Sequence, residues 1–116
     1  MIFSEADHIE QILRKTKTET RRSSSRYRIG RFYGIQPKRT SKAIRDGKIL
    51  IIGKVKETRD SQISERSAKA EGGYTPEEYE QLYERMHPSW QERTAYYFAY
   101  LNMATVNILL GKGEVH

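Results

Sequence analysis

The 116-residue sequence predicts an α+β fold in which a curled antiparallel sheet or small barrel is flanked by helices. Only 36% of the residues are hydrophobic, so the core must be thin and is expected to be built on a sheet. The predicted elements run strand, helix, several strands, helix and one or more strands, without the regular alternation that a parallel sheet requires. This length suits one domain, to which we assign residues 1–116.

The first half of the chain alternates between helical and extended patterns. Residues 1–3 form a short apolar run typical of a strand, and apolar positions at helical spacing predict a helix over 5–14. Alternating β-branched residues indicate an extended segment over 15–20. A looser alternation around two glycines predicts a strand over 27–36, followed by a short helix or a polar connection over 38–47.

The clearest strand of the chain is Lys48–Thr58, which begins as a continuous apolar run and ends by alternating. This pattern is typical of a central strand that leaves the core at its far end. Ser64 then opens a short helix over 66–71, which Gly72 and Gly73 terminate.

A second strong helix signal follows at Thr75. Pro76 occupies the first turn and Glu78 stands three residues after Thr75, which is the pattern of a capping box. The aromatic run 94–101 predicts a strand, and residues 105–110 predict a further strand or a partner-binding tail.

The positive charge is concentrated in one part of the sequence. The net charge is +6, yet residues 14–45 contain twelve Lys and Arg against a single acid, Glu19. With Tyr27, Phe32 and Tyr33 interleaved, this segment suits phosphate contacts and base stacking, so it favours a nucleic-acid partner. The alternative is a solvated basic face without a ligand.

Several function classes are disfavoured. The chain has no cysteine, which excludes disulfides and thiolate chemistry, and His8, His87 and His116 do not stand at a metal-ligand spacing. No glycine-rich turn leads into a helix with a Lys-Ser/Thr pair, so a phosphate loop is not expected. We therefore expect no metal and no cofactor. There is no membrane-length apolar run and no export signal at the start, which predicts a cytoplasmic protein.

The densest group of chemically useful side chains lies between Lys17 and Arg22, where a lysine and a threonine are followed by two arginines. Lysine can act as a base when burial or nearby cations lower its pKa, and a base can activate a hydroxyl as a nucleophile. In a straight strand, Lys17 and Thr20 would face opposite sides, so a joint role requires a bend between them.

The run Lys17-Thr18-Glu19-Thr20-Arg21-Arg22, preceded by a helix, resembles the motif of ASCH domains, which are related to the PUA RNA-binding fold. The resemblance extends over about residues 1–101, through the central strand, the Glu71-Gly72 pair and the capped helix, and leaves 102–116 as a C-terminal extension. It implies a PUA-like small β-barrel with a cleft for RNA or a modified nucleoside.

The resemblance also implies specific site residues. Small bacterial members of the family are amidohydrolases that remove the acetyl group from N4-acetylcytidine with a Thr-Lys-Glu constellation, which falls here on Thr20, Lys17 and Glu71. Arg22 matches the arginine after the second threonine and would line the same cleft. The roles of Lys17 and Glu71 as base and acid are interchangeable at this stage.

One difference from the family pattern bears on the ligand, and one repeated spacing bears on the register of the motif. Arg31 stands where many members have aspartate, which reverses a charge near the cleft and favours a longer, anionic ligand. Lys15 with Thr18 repeats the spacing of Lys17 with Thr20, but only the second pair places both arginines correctly.

Three functions follow as hypotheses. The first is binding of RNA or a modified nucleoside around Lys17–Arg22, with basic side chains as contacts. These are Arg21, Arg22, Arg26, Arg28, Arg31, Lys38 and Arg39. The second is metal-independent hydrolysis of an acylated base by Lys17, Thr20 and Glu71. The third is a structural module that forms a homodimer through edge pairing of the C-terminal tail 105–110.

Overall fold

The chain forms a four-stranded antiparallel sheet with four helices, and the computed structural model describes residues 1–111. The elements in chain order are α1 Ala6–Leu13, β1 Glu19–Arg22, β2 Phe32–Tyr33, β3 Gly47–Thr58, α2 Glu65–Gly72, α3 Pro76–Met86, β4 Glu92–Asn102 and α4 Met103–Leu109. The predicted α+β class is therefore confirmed.

The sheet is open, so the predicted barrel is wrong. The strand order is β1-β4-β3-β2, with the long strands β3 and β4 paired from Gly47 opposite Asn102 to Thr58 opposite Glu92. The outer strands have four and two residues, and they do not pair with each other. Edges this short do not supply the continuous ladder of backbone hydrogen bonds that closing a barrel requires.

Each face of the sheet carries its own apolar cluster. Tyr96 and Phe98 point to one face, where they pack with Phe3 and with Ile12 of α1. Arg93 and Ala95 alternate with them and therefore point to the opposite face. On that face, Ile63 and Ala68 pack with two tyrosines of α3.

The two helices after β3 begin as the sequence predicts. The Ser64 side chain accepts a hydrogen bond from the backbone N–H of Ser67 and caps α2. At α3, the Thr75 side chain accepts from the N–H of Glu78, and the Glu78 carboxylate accepts from the N–H of Thr75 at 2.8 Å. These local hydrogen bonds fix where α2 and α3 begin, and α2 ends beside the candidate site.

Three other local predictions are corrected. Residues 27–36 form a strand only at Phe32–Tyr33, and residues 1–3 contribute one isolated bridge, from Ile2 to Gln36. Residues 105–110 lie mostly in helix α4, because Asn102 caps it by accepting from the N–H of Thr105 at 2.9 Å. The tail therefore offers no strand for the predicted edge-to-edge homodimer.

Within residues 1–111, no helix combines the length and the apolar character needed to cross a membrane.

Candidate functional site

A turn between α1 and β1 leads to Lys17, whose side chain is buried. Lys15 adopts a left-handed conformation with φ 66°, and the backbone N–H groups of Thr16 and Lys17 both donate to the carbonyl of Gln11. The N–H of Thr18 then donates to the carbonyl of Ala70, which joins this turn to α2. The carbonyl of Thr18 accepts from the N–H of Phe98 of β4 at 2.9 Å, so the turn lies before Lys17 and not between Lys17 and Thr20, where the sequence-based prediction requires a bend.

Lys17, Thr20 and Glu71 line one cleft of about 370 Å³, which we call the Lys17 cleft. Its walls come from the N-terminal segment, α1, the turn before β1, β1 itself, and helices α2 and α3. The lining comprises Ile2, Phe3, Ser4, Glu5, His8, Lys17, Thr20, Arg21, Arg22, Ser23, Glu71, Tyr79, Leu82, Met86 and His87. The structure therefore brings together the three residues that the resemblance implies.

Lys17 and Glu71 form a buried pair. Their side chains are 2% and 4% exposed, and Lys17 Nζ lies 3.3 Å from Glu71 Oε1. Nζ also donates to the backbone carbonyl of Glu19 at 2.8 Å and to that of Glu71. Three acceptors match the three hydrogens of an ammonium group, so this arrangement suits the protonated lysine.

The surroundings shift the pKa values of the pair toward each other. Burial lowers the pKa of Lys17, the charges of Arg22 and Arg21 lower it further, and Glu71 acts in the opposite direction. Burial raises the pKa of Glu71, while Lys17 and Arg21 oppose this shift. Both net shifts favour transfer of a proton from the lysine to the carboxylate, which would leave a neutral amine in the cleft.

The carboxylate oxygen of Glu71 that does not face Lys17 is bound by Arg21, which begins a series of alternating positive and negative side chains. Arg21 Nη1 lies 3.0 Å from Glu71 Oε2 and 3.1 Å from Glu19 Oε1. The Nε and Nη2 atoms of Arg21 donate to the two oxygens of Glu57 at 3.0 and 3.1 Å, and Arg93 Nε donates to the same carboxylate at 2.9 Å. We call the series Lys17–Glu71–Arg21–Glu57–Arg93 the charge chain.

No pattern in the sequence marks Glu57 or Arg93 as a site residue. Glu57 lies in the polar end of β3, a pattern that predicts departure from the core, but it stands opposite Arg93 of β4. Arg93 is completely enclosed, with its guanidinium 4.5 Å from the Trp90 ring and 4.8 Å from the Tyr83 ring. A pairing register between distant strands was needed to find them.

Thr20 and Arg22 form the wall of the cleft on the side of the N-terminal segment. Thr20 lies opposite Tyr96 of β4, and its hydroxyl accepts from Arg22 Nε at 3.4 Å. Arg22 Nη2 donates to the carbonyl of Ile2 at 2.6 Å, and the guanidinium lies 4.8 Å from the Phe3 ring. The arginine thereby anchors the N-terminal segment over the cleft.

The arginines and lysines predicted to contact nucleic acid occupy different environments. The Arg21 side chain is 2% exposed, and its hydrogen bonds go to carboxylates of the protein, so it does not lie on the surface. Arg22 lines the Lys17 cleft. The others are exposed, do not line this cleft and form no ion pair within residues 1–111. They are Arg26, Arg28, Arg31, Lys38 and Arg39.

His8 and His87, which do not stand at a metal-ligand spacing in the sequence, both line the cleft. His8 Nε2 lies 2.9 Å from the Tyr74 hydroxyl, and burial lowers the pKa of His8. A Cβ on Gly72 would lie 2.8 Å from the Tyr74 ring and 2.9 Å from His8 Nε2, so the glycine after Glu71 permits α1 and α2 to approach. His116 lies outside the described residues. Among those residues, no group of three acidic or histidine side chains could hold a metal ion.

The fold and the cleft together define a small α+β domain in which a buried lysine–glutamate pair lines a cleft. No family model and no curated protein sequence matches the chain. Solved structures of ASCH domains do match its fold.

One of these is the ASCH domain from Lactobacillus crispatus JV V101, with 17% identity, a TM-score of 0.59, and coverage of 80% of this chain and 69% of that one. Two mutant structures of the ASCH protein from Zymomonas mobilis are each 14% identical to the present chain, with TM-scores of 0.58 and 0.59. They cover 95% of this chain and 80% and 78% of theirs. The chain shares its fold with these ASCH structures, which confirms for the fold the resemblance drawn from Lys17–Arg22.

Proposed function

We propose that this protein binds a modified nucleoside in the Lys17 cleft and hydrolyses an amide on its base, as in N4-acetylcytidine. The observation that carries the proposal is the 3.3 Å contact between Lys17 and Glu71, both buried, in the same cleft as Thr20. A pair with pKa values shifted toward each other is suited to move protons during acyl transfer.

The size and lining of the cleft support a single nucleoside as the ligand. A volume of about 370 Å³ lies toward the lower end of small-molecule sites, which typically span roughly 300–1,000 Å³. Phe3, Tyr79, Leu82 and Met86 supply apolar and aromatic surface against which a base can pack.

In the proposed reaction, Lys17 first passes a proton to Glu71 and becomes a neutral amine. The amine accepts the proton of the Thr20 hydroxyl while Oγ1 forms a bond to the acyl carbon, and the carbonyl electrons move onto oxygen. The carbon–nitrogen bond then breaks, and Glu71 delivers its proton to the departing nitrogen of the base. The products of this step are the free base and a Thr20 ester, with Lys17 and Glu71 back in their charged forms.

The ester is cleaved by the same groups. After a second proton transfer from Lys17 to Glu71, the lysine amine accepts a proton from water, and the resulting hydroxide attacks the acyl carbon. The ester bond breaks, and Glu71 returns a proton to Thr20 Oγ1. This restores the hydroxyl and releases the carboxylic acid.

The direct test is incubation of the purified protein with N4-acetylcytidine and measurement of cytidine release by chromatography. We expect turnover by the wild type and a loss on the order of 10³-fold in kcat for Thr20→Ala, because the nucleophile is removed. Thr16→Ala is the matched control, since Thr16 is exposed and outside the cleft. Absence of cytidine release by the wild type would overturn the proposal.

A second candidate function, RNA binding, is favoured by the exposed cations between β1 and β3, which form no ion pair with any residue that the structure describes. Arg26, whose guanidinium lies 4.9 Å from the Tyr27 ring, shows the combination of cation and aromatic ring that suits stacking on bases. Because Arg21 is enclosed among carboxylates, we assign it to the charge chain instead of to phosphate contacts.

Combined replacement of Arg26, Arg28 and Arg31 by alanine is expected to weaken binding of single-stranded RNA. If each neutralises one phosphate, the slope of log affinity against log salt should fall by about 2. The control removes three exposed cations elsewhere, Arg66, Lys69 and Arg85. Equal slopes for the wild type and both triple variants would eliminate this surface as the RNA site.

A further inference from the structure

Tyr79 presents an unused hydroxyl group at the wall of the Lys17 cleft. The residue lies on α3, is 5% exposed and belongs to the cleft lining. Within residues 1–111, its hydroxyl makes no hydrogen bond and, unlike that of Tyr83, is not among the fully enclosed polar atoms, so it opens onto the cleft. A ligand in the cleft can supply the missing acceptor.

The ring of Tyr79 is held in place on several sides. The guanidinium of Arg21 lies 6.0 Å from the ring centroid and that of Arg93 lies 5.8 Å from it. The rings of Tyr74 and Tyr83 lie 5.8 and 6.2 Å away. Because the charge chain fixes both arginines, the hydroxyl group occupies a defined position before any ligand binds.

The other buried donors of the cleft are already engaged. Lys17 donates to three oxygens of the protein, and Arg21 donates through Nε, Nη1 and Nη2 to carboxylates. The Thr20 hydroxyl is required as the nucleophile. Burial raises the pKa of Tyr79, as does the charge of Glu71, so the phenol keeps its proton and remains a donor.

Acyl transfer needs a donor for the oxygen of the tetrahedral intermediate, because that oxygen becomes negatively charged when the nucleophile attacks. We propose that the Tyr79 hydroxyl donates a hydrogen bond to the acyl oxygen of the substrate and stabilises this charge, which makes Tyr79 a catalytic residue. The phenol donates without giving up its proton, so the proton balance of the reaction is unchanged. This inference rests on the proposed hydrolase function.

Tyr79→Phe removes the hydroxyl and keeps the ring. With N4-acetylcytidine as substrate, we expect kcat to fall by about 10²-fold while KM changes little, as for loss of an oxyanion donor. The melting temperature should stay at the wild-type value, since the hydroxyl has no partner in the described part of the chain. The ratio of wild-type to variant kcat should also be constant with pH, because the phenol does not titrate in the working range.

Tyr83→Phe is the matched control. Tyr83 stands one turn further along α3 and is also buried, and its enclosed hydroxyl has no partner among residues 1–111, but it does not line the cleft. We expect wild-type kcat for this variant. If Tyr79→Phe keeps wild-type kcat while Thr20→Ala is inactive, the role of Tyr79 is refuted and the hydrolase function stands. If the wild type releases no cytidine, both fail.

Discussion

Replacement of Lys17 by arginine is expected to reduce cytidine release from N4-acetylcytidine on the order of 10³-fold, within the range that general bases contribute. Arginine keeps the positive charge beside Glu71, but it does not lose its proton at accessible pH and cannot act as a base. In the wild type, kcat/KM should fall as the pH rises through the pKa at which Lys17 and Glu71 lose the proton they share, because Glu71 then has no proton for the departing nitrogen. Because burial and the two arginines lower the pKa of Lys17, this fall should lie below the usual range for lysine.

Lys15→Arg is the control for this substitution, since Lys15 is exposed two residues earlier and lies outside the cleft. A second variant, Lys17→Met, removes the charge and keeps an unbranched side chain, which separates an effect of arginine bulk from loss of the base. Wild-type rates in both Lys17 variants would refute the role of Lys17 as base, even if the protein is a hydrolase.

The second large effect is expected for stability. Arg21→Ala leaves Glu71 and Glu57 without their shared partner inside the protein, and breaking a buried ion pair by removing one member costs about 3–5 kcal/mol. The free energy of unfolding, measured by urea denaturation, should fall by this amount. Such a loss is a large part of the stability of a small domain.

Arg28→Ala is the comparison, because Arg28 is exposed and forms no ion pair within residues 1–111. We expect a change below about 0.5 kcal/mol, as for other surface substitutions. If Arg21→Ala is as stable as Arg28→Ala but binds RNA more weakly, then Arg21 is a phosphate contact and its place in the charge chain has no structural importance.

The parts of the fold that the sequence predicts correctly depend on nearby residues. The capping box of Thr75 and Glu78 and the cap at Ser64 need only hydrogen bonds across three positions, so both helix starts are visible in the sequence. The predictions that failed depend on distant pairing. Whether residues 27–36 form a strand depends on β3, which pairs with only Phe32 and Tyr33.

The candidate site shows the same division. The resemblance in the run Lys17–Arg22 and at Glu71 predicts which residues form the site. Because Lys17 and Glu71 are 54 positions apart, however, the sequence does not show whether their side chains meet. Glu57 and Arg93 carry no local pattern that marks them as site residues, since a charged residue near a strand end usually faces water. Tyr79 carries none either, because the sequence does not show that this helix residue lines the cleft. Their roles arise from the pairing of β3 with β4 and from the packing of α3 against the sheet.

By itself, the sequence determined the α+β class from the order of its elements and the two capped helices from hydrogen bonds across three positions. A short motif and the resemblance it carries also indicated Lys17, Thr20 and Glu71 as candidate site residues. Only the tertiary structure decided that the sheet stays open, that Arg21 faces carboxylates, and that Lys17 and Glu71 share one cleft. Burial sets which charges lose water and which neighbours replace it, and burial is a property of the whole folded chain.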